Sequence, residues 1–266
     1  MPIRFPEFAT RLANSDADFH AVQGLRYKVF VEELGGSGTG VDHERQIESD
    51  PFDAFCDHLM LSDPSGRLVG VYRLMTNEMA EKAGGFYSES EFDVSGLLAC
   101  GRPLLELGRS CLHKDFRGGA AMLHLWAGVA DYVSRHDIEI MFGVASFHGT
   151  DLDALAGPLS LLSTAHSSQD LICTARKPGA VSMNILASDE IDRKAAILAM
   201  PTLIKAYLRL GGVVGQGAFV DRAFNTTDVM MIVDIAKMDP QTHAAYSQDW
   251  ARTLAKSGGS KLNRSQ

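Results

Sequence analysis

Leu104-Leu105-Glu106-Leu107-Gly108-Arg109-Ser110-Cys111-Leu112, followed by His113-Lys114-Asp115-Phe116-Arg117-Gly118-Gly119, is the stretch that decides the fold. The first nine residues read as a strand, apolar apart from one carboxylate and one guanidinium. After Arg117-Gly118-Gly119 the pattern changes period. Met122, Leu125, Trp126, Val129 and Val133 fall on one face of a helix. A second strand is predicted over Ile138–Phe147. Strand, glycine loop, helix and strand in that order predict a βαβ crossover and hence some parallel sheet.

Outward from this unit, the chain keeps alternating. A helix is predicted from Ser15 or Asp16, with Phe19, Val22, Leu25 and Val29 at helical spacing. His58–Leu61 and Arg67–Met75 read as strands joined by the turn Asp63-Pro64-Ser65-Gly66. The run Gly35–Gly40 reads as a flexible loop. Further on, Met200-Pro201 opens a helix with Leu203, Ile204, Tyr207 and Leu208 on its apolar face, and Gly211-Gly212 ends it. Strands are predicted over Val213–Val220 and Val229–Ala236, and a last helix after Asp239-Pro240, with Tyr246, Trp250 and Leu254 spaced by four. No linker divides the chain. The expectation is one α/β domain over residues 1–256, a mixed central sheet flanked by helices, with a polar tail over 257–266.

Composition narrows the function. With 266 residues, 45% of them hydrophobic and 22% charged, the chain is ordinary globular material. The net charge of -8 argues against a protein whose main task is holding nucleic acid, which draws its affinity from neutralising phosphates. Cys56, Cys100, Cys111 and Cys173 form no CxxC pair, fit no zinc template, and read as buried thiols of a reducing compartment. No apolar run approaches the roughly 18 residues of a membrane span, and the N-terminal segment has no apolar signal core. The expected location is cytoplasmic, with peripheral contact at the inner face of the membrane left open. Walker, HExxH and GxSxG sequences are missing, and no metal site is expected. Gly211–Gly217 follows a helix and opens a strand, the reverse of the order a dinucleotide fingerprint needs.

The strand, the Arg-Gly-Gly loop and the helix after it resemble the core of the GCN5-related N-acetyltransferase superfamily, whose usual loop pattern is [QR]xxGx[GA]. In that superfamily the loop and helix N-terminus present backbone N–H groups to a phosphate. This chain offers Arg117-Gly118-Gly119-Ala120-Ala121-Met122. A long Met122 side chain at the last position is expected to crowd a pyrophosphate and to leave room for the single phosphodiester of phosphopantetheine. A second set of residues is Arg26 and Phe30, then Asp50 and Asp53, then Arg73, then Glu106 and Arg109. This order resembles the acyl-homoserine-lactone synthases. The closer resemblance is to the ornithine-acyl-carrier-protein N-acyltransferases of ornithine lipid synthesis. It rests on ELGRSCLHKDFRGG followed by LHLWAGVADYV, then MPTLIKAYLRLGGVVGQGAFVD, then FNTTDVMMIVD, and runs from about Leu25 to Asp234.

This resemblance implies attack of an α-amino group on the acyl thioester of acyl carrier protein. The phosphopantetheine of that partner carries the acyl group, and no cofactor resident in the chain is expected. An ammonium must lose a proton before it attacks, so a general base is needed. Glu106, interrupting an apolar strand, is the candidate, with burial raising its pKa; the alternative is a structural ion pair with Arg109. Backbone N–H groups near Gly108, Ser110 and Cys111 would stabilise the thioester oxygen where the strand splays. Arg109, Arg117, Gly118 and Gly119 would hold the phosphopantetheine, and a cluster of Arg102, Arg109, Lys114 and Arg117 would dock the acidic carrier. Ornithine needs a guanidinium for its carboxylate and a carboxylate for its side-chain ammonium. Arg26 or Arg73 are candidates for the first and Asp50 or Asp53 for the second, with Phe30 beside them; the alternative is a surface ion pair between Arg26 and Asp50. Other readings stay open: another acceptor such as glutamine, a lactone synthase, or a carrier-protein or lipid-binding module without turnover.

Overall fold

The computed structural model describes residues 8–242. Within them the strands of the main sheet are β1 (Ala9–Leu12), β2 (Asp57–Ser62), β3 (Leu68–Thr76), β4 (Leu104–Leu112), β5 (Ile140–His148), β6 (Ala180–Val181), β7 (Val213–Val214), β8 (Ala218–Asp221) and β9 (Thr226–Asp234). Their order across the sheet is β1-β2-β3-β4-β5-β9-β8-β6, with β7 beside β9. All these neighbours are antiparallel except β4 and β5. The parallel pair is the one the crossover requires, and α2 (Ala120–Arg135) makes the connection. The predicted last helix around Tyr246, Trp250 and Leu254, and the tail, lie outside the described residues.

The two faces of the sheet are built differently. Alternation along a strand sends odd and even residues to opposite sides. One side takes Leu105, Leu107, Met141, Ala145, Val229 and Met231, which pack with Leu125, Trp126 and Val129 of α2 and with Leu159 and Leu162 of α3 (Ala156–Ala165). Ile204 and Tyr207 of α4 (Thr202–Arg209) join them. Met122 is half-buried against this same core. The other side carries two separate apolar patches. Val22, Leu25 and Val29 pack on Met60, Val71 and Cys111. Leu104, Phe142, Met230 and Ile232 pack under Phe86 and Phe92. Glu106, Arg73 and Asp228 lie along the same side of the sheet, so their polar groups fall on this face.

Three local features differ from the sequence reading. The first helix, α1 (Asp16–Arg26), is capped by Ser15 and runs on into a π-helical segment, Tyr27–Glu33, where Leu34 N–H donates to Val29 O at 3.2 Å. Its Phe19, expected in the core, is 36% exposed. The predicted strand Val213–Val220 is broken into β7 and β8, because Gly217 takes φ +75°. The glycine run is pinned rather than free. Ser37 N–H donates to Ala223 O at 3.0 Å, and a Cβ at Gly36 would stand 2.7 Å from Phe30 O.

Candidate active site

β4 carries a bulge at the centre of the sheet. Cys111 pairs with Val71 and Gly108 with Arg73, so Arg109 and Ser110 together oppose Tyr72 alone. Arg109 takes φ +49°, uncommon for a residue with a Cβ. On its other side β4 pairs with β5 only over Leu104–Glu106, and the two strands then part. Gly143 permits the close approach just before they do, since a Cβ there would lie 2.1 Å from Leu107 O.

A cavity of about 240 Å³ opens where the strands part. Glu106, Leu107, Gly108, Arg109 and Ser110 of β4, Val144 and Ser146 of β5, and Asp228 of β9 supply its floor. Phe30, Leu34, Tyr87, Glu91, Asp221 and Phe224 close its sides. Phe30 reaches it from the π-helical segment, a local widening of the kind often found at functional sites. Tyr72 reaches it from beneath, its hydroxyl 2.8 Å from that of Tyr207.

Glu106 is 3% exposed. Its two oxygens accept the backbone N–H groups of Tyr87 (3.0 Å) and Ser88 (2.7 Å). Burial raises its pKa against those stabilising hydrogen bonds. The carboxylate therefore caps the turn at Tyr87–Ser90 while facing the cavity, and among the described residues it makes no ion pair with Arg109.

Behind the wall lies a buried charge network. Arg26, fully buried, donates from Nε to Glu48 (2.5 Å) and from Nη1 to Asp53 (2.8 Å). Arg73 donates from Nη1 to Asp50 (2.5 Å) and Asp53 (3.0 Å). Arg109 reaches Glu48 (3.2 Å) and Asp50 (2.9 Å), and stacks over the rings of Tyr87 (4.6 Å) and Phe224 (5.6 Å). Burial alone would raise the Asp53 pKa, but Arg26 and Arg73 hold it below the ordinary range. Asp50 also caps its turn, accepting Phe52 N–H at 2.9 Å. The site residues Arg26, Asp50, Asp53, Arg73 and Arg109 are thus brought together, with Glu48 as a member that sequence reasoning missed. Of these, Arg109 alone lines the cavity. Arg26 pairs with Glu48 and Asp53 in the interior rather than with Asp50 at the surface.

Sequence reasoning also missed Tyr87, Glu91, Asp221, Phe224 and Asp228. Asp228 carried a signal, a carboxylate inside the apolar strand of FNTTDVMMIVD. Glu91 and Asp221 look like ordinary turn residues.

At the far end of β4, Gly118 takes φ +75° and Gly119 leads into α2 without a side-chain cap. A Cβ at either glycine would meet nothing within 4 Å. Arg117 pairs with Glu33 and donates from Nε to Leu112 O at 3.1 Å, so it ties the loop to the π-helical segment. Cys111 is buried, and burial pushes its thiol up to about 12. The expected basic cluster does not assemble. Arg102 precedes β4 at its opposite end and is held by Glu139 (2.6 Å) and Asp234 (2.7 Å).

This geometry has clear relatives. A model for the acetyltransferase (GNAT) domain matches residues 25–127. An L-ornithine N(alpha)-acyltransferase of Rhodobacter capsulatus is 51% identical over 247 residues, covering 91% of this chain and 95% of its own. One from Brucella abortus is 41% identical over 256 residues, covering 92% and 91%. Among solved structures, the CoA-dependent acyl-homoserine lactone synthase BjaI aligns with a TM-score of 0.51 at 18% identity, over 91% of this chain and 88% of that one, a likeness of fold. A GNAT-type sheet with identity at this level over nearly the whole chain leaves one conclusion: the chain belongs to the L-ornithine N(alpha)-acyltransferase family and is an acyltransferase.

Proposed function

We propose that this chain moves a 3-hydroxyacyl group from acyl carrier protein to the α-amino group of L-ornithine, giving a lyso-ornithine lipid. The observation that carries this reading is the cavity. It sets a buried, proton-accepting carboxylate, Glu106, on the same wall as the bulged strand, in a chain whose relatives are named for ornithine acylation. The amine nitrogen attacks the thioester carbonyl; a C–N bond forms, the C–S bond breaks, and the pantetheine thiol leaves. The α-ammonium first gives one proton to Glu106, directly or through one water, and after attack the nitrogen gives a second to the departing sulfur; burial, which raises the Glu106 pKa, makes it a stronger base than a solvated carboxylate.

The remaining residues divide into donor and acceptor sides. Gly108, Ser110 and Cys111 frame the bulge, where backbone N–H groups stabilise the developing oxyanion. Gly118 and Gly119 and the uncapped start of α2 receive the phosphodiester of phosphopantetheine, with Arg117 fixing that loop. Arg109, the guanidinium on the cavity wall, takes the ornithine carboxylate, and Phe30 packs on the acceptor. Arg26, Asp50, Asp53 and Arg73 act through Arg109 as positioning residues. The cavity is smaller than the roughly 300–1,000 Å³ of pockets that enclose drug-sized ligands. It suits an amino acid and the reacting end of an acyl chain. No helix among the described residues is long and apolar enough to cross a membrane. The amphipathic product implies a cytoplasmic enzyme that touches the inner face of the membrane.

Incubation of the protein with 3-hydroxyacyl carrier protein and a panel of amino acids, read by mass spectrometry, tests the reading. N-acyl ornithine is expected, and Glu106→Gln should lower kcat by about 10²–10⁴-fold with carrier binding intact. N-acyl glutamine as the dominant product would overturn the acceptor, and a lactone formed from S-adenosylmethionine would overturn the family reaction. Carrier binding without turnover would reduce the chain to a binding module.

A further inference from the structure

One wall of the cavity gathers three carboxyl groups for which no ion pair is found among the described residues. Glu91, Asp221 and Asp228 each turn a carboxylate oxygen to a common point, and these oxygens lie within 4.8 Å of one another. They come from three separate pieces of chain: the turn after Tyr87–Ser90, the end of β8, and β9. Glu91 is 5% exposed and Asp228 3%. Glu91 Oε2 and Asp228 Oδ1 are buried without a hydrogen-bond partner. Their other oxygens receive neutral donors, the Tyr87 hydroxyl on Glu91 (3.3 Å) and the Thr226 hydroxyl on Asp228 (3.2 Å), and the Ser146 hydroxyl also favours the charged form of Asp228. Asp221 accepts the backbone N–H groups of Ala223 (2.7 Å) and Phe224 (3.2 Å). The cation on this cavity wall, Arg109, pairs with Glu48 and Asp50 rather than with any of these three.

A buried polar oxygen without a partner is costly, and two beside a third carboxylate cost more. Such an arrangement persists where a ligand completes it. The missing partner is a cation carrying several N–H donors. Acceptors bonded to one tetrahedral nitrogen at about 2.7–2.9 Å stand about 4.6 Å apart, and the three oxygens here lie within 4.8 Å of one another, close enough to share one such nitrogen. The pocket has room beside the group for a short aliphatic stem.

We propose that Glu91, Asp221 and Asp228 are the receptor for the distal ammonium of a diamino-acid acceptor, and so set the enzyme's choice among amino acids. The proposal rests on the acyltransfer reading and replaces Asp50 and Asp53 as the carboxylates that meet the side chain. The distal ammonium stays charged and unreactive in this acidic corner, leaving the α-amine as the nucleophile.

The test compares L-ornithine with L-norvaline, which keeps the α-amine, the carboxylate and the three-carbon stem and lacks the distal ammonium. The readout is the ratio of kcat/KM for the two acceptors, with acyl carrier protein as donor. A site that loses an expected buried partner discriminates strongly, so the wild-type ratio should be on the order of 10²–10⁴ in favour of ornithine. Asp228→Asn and Glu91→Gln should each reduce that ratio by at least about tenfold, mainly through the KM for ornithine. Equal losses with both acceptors, leaving the ratio unchanged, would assign the cluster a structural role and overturn the proposal. N-acyl ornithine made with a wild-type ratio near one would overturn it while leaving the acyltransfer reading intact; no N-acyl product with either acceptor would overturn both. Calorimetric titration of the chelator-treated protein with Mg²⁺, Mn²⁺ or Ca²⁺ should give no binding. Binding of one of these ions that is lost in Asp228→Asn would make the cluster a metal site instead.

Discussion

Two groups of carboxylates flank this site, one behind the cavity wall and one on it, and they are opposites. Glu48, Asp50 and Asp53 face Arg26, Arg73 and Arg109, three charges against three. Glu91, Asp221 and Asp228 face one another. The first group is electrically complete and holds shape. The second is incomplete, and its partner must come from outside. The comparison teaches that burial of charge does not by itself mark a binding site. What separates the two groups is the supply of opposite charge, since Arg26 Nη2 and Arg73 Nη2 are also buried without a hydrogen-bond partner.

The largest effect should come from breaking the complete group. Arg26→Met leaves Glu48 and Asp53 buried with a partner removed, and should cost about 3–5 kcal/mol in urea unfolding. The same experiment on the incomplete group should run the other way. The double variant Glu91→Gln, Asp228→Asn removes buried repulsion and should stabilise the ligand-free protein at pH 8 by roughly 1–2 kcal/mol. If both sets of variants destabilise alike, the distinction between the groups fails.

The pH dependence should split by sign. Asp53 lies below the ordinary carboxylate range, so its contribution is present above that range and is lost as pH falls through its depressed pKa. Glu91 and Asp228 lie above it, because burial and neighbouring carboxylates disfavour their charged forms. The native ligand-free state then binds protons that the unfolded state has released. Its stability should fall as pH rises from about 4 upward through neutrality. Arg109, Tyr87, Thr226 and Ser146 face this pair and moderate the rise without abolishing it. Ornithine, by supplying the cation, should flatten this slope, so its thermal-shift increment should grow with pH. An increment independent of pH would mean that the ligand does not meet these carboxylates.

The smallest effect belongs to a third kind of charge pair. Arg117 and Glu33 have side chains 41% and 31% exposed. Arg117→Ala should change stability by less than about 1 kcal/mol, the usual worth of a solvent-screened pair. Its KM for acyl carrier protein should rise more visibly if the loop it ties down seats the donor.

What the sequence disclosed follows from the range of the forces involved. β4 was readable to its ends, and the apolar face of α2 was readable, because both depend on local periodicity. Arg26, Asp50, Asp53, Arg73 and Arg109 were recognisable as a set through resemblance, but their pairing was not, since Arg26 meets partners 22 and 27 residues away. Glu48 stood in full view beside Asp50 with nothing local to mark it. The acidic cluster was least legible. It forms only when β9 lies beside β5 and the turn bearing Glu91 folds over both, and a lone aspartate in an apolar strand does not say which carboxylates it will join.

The bulge in β4 also acts as a change of parity. Before it, the odd residues Leu105 and Leu107 enter the main core; after it, the even residue Leu112 does, and the odd Cys111 turns to the α1 side. One strand is thus written in two frames. Deleting a single residue at 109 or 110 would close the bulge into one regular frame, with Cys111 still opposite Val71 and Leu112 still in the core, and would take away the extra residue by which the strand presents Arg109. The length of this strand is therefore as much a specification as any of its side chains.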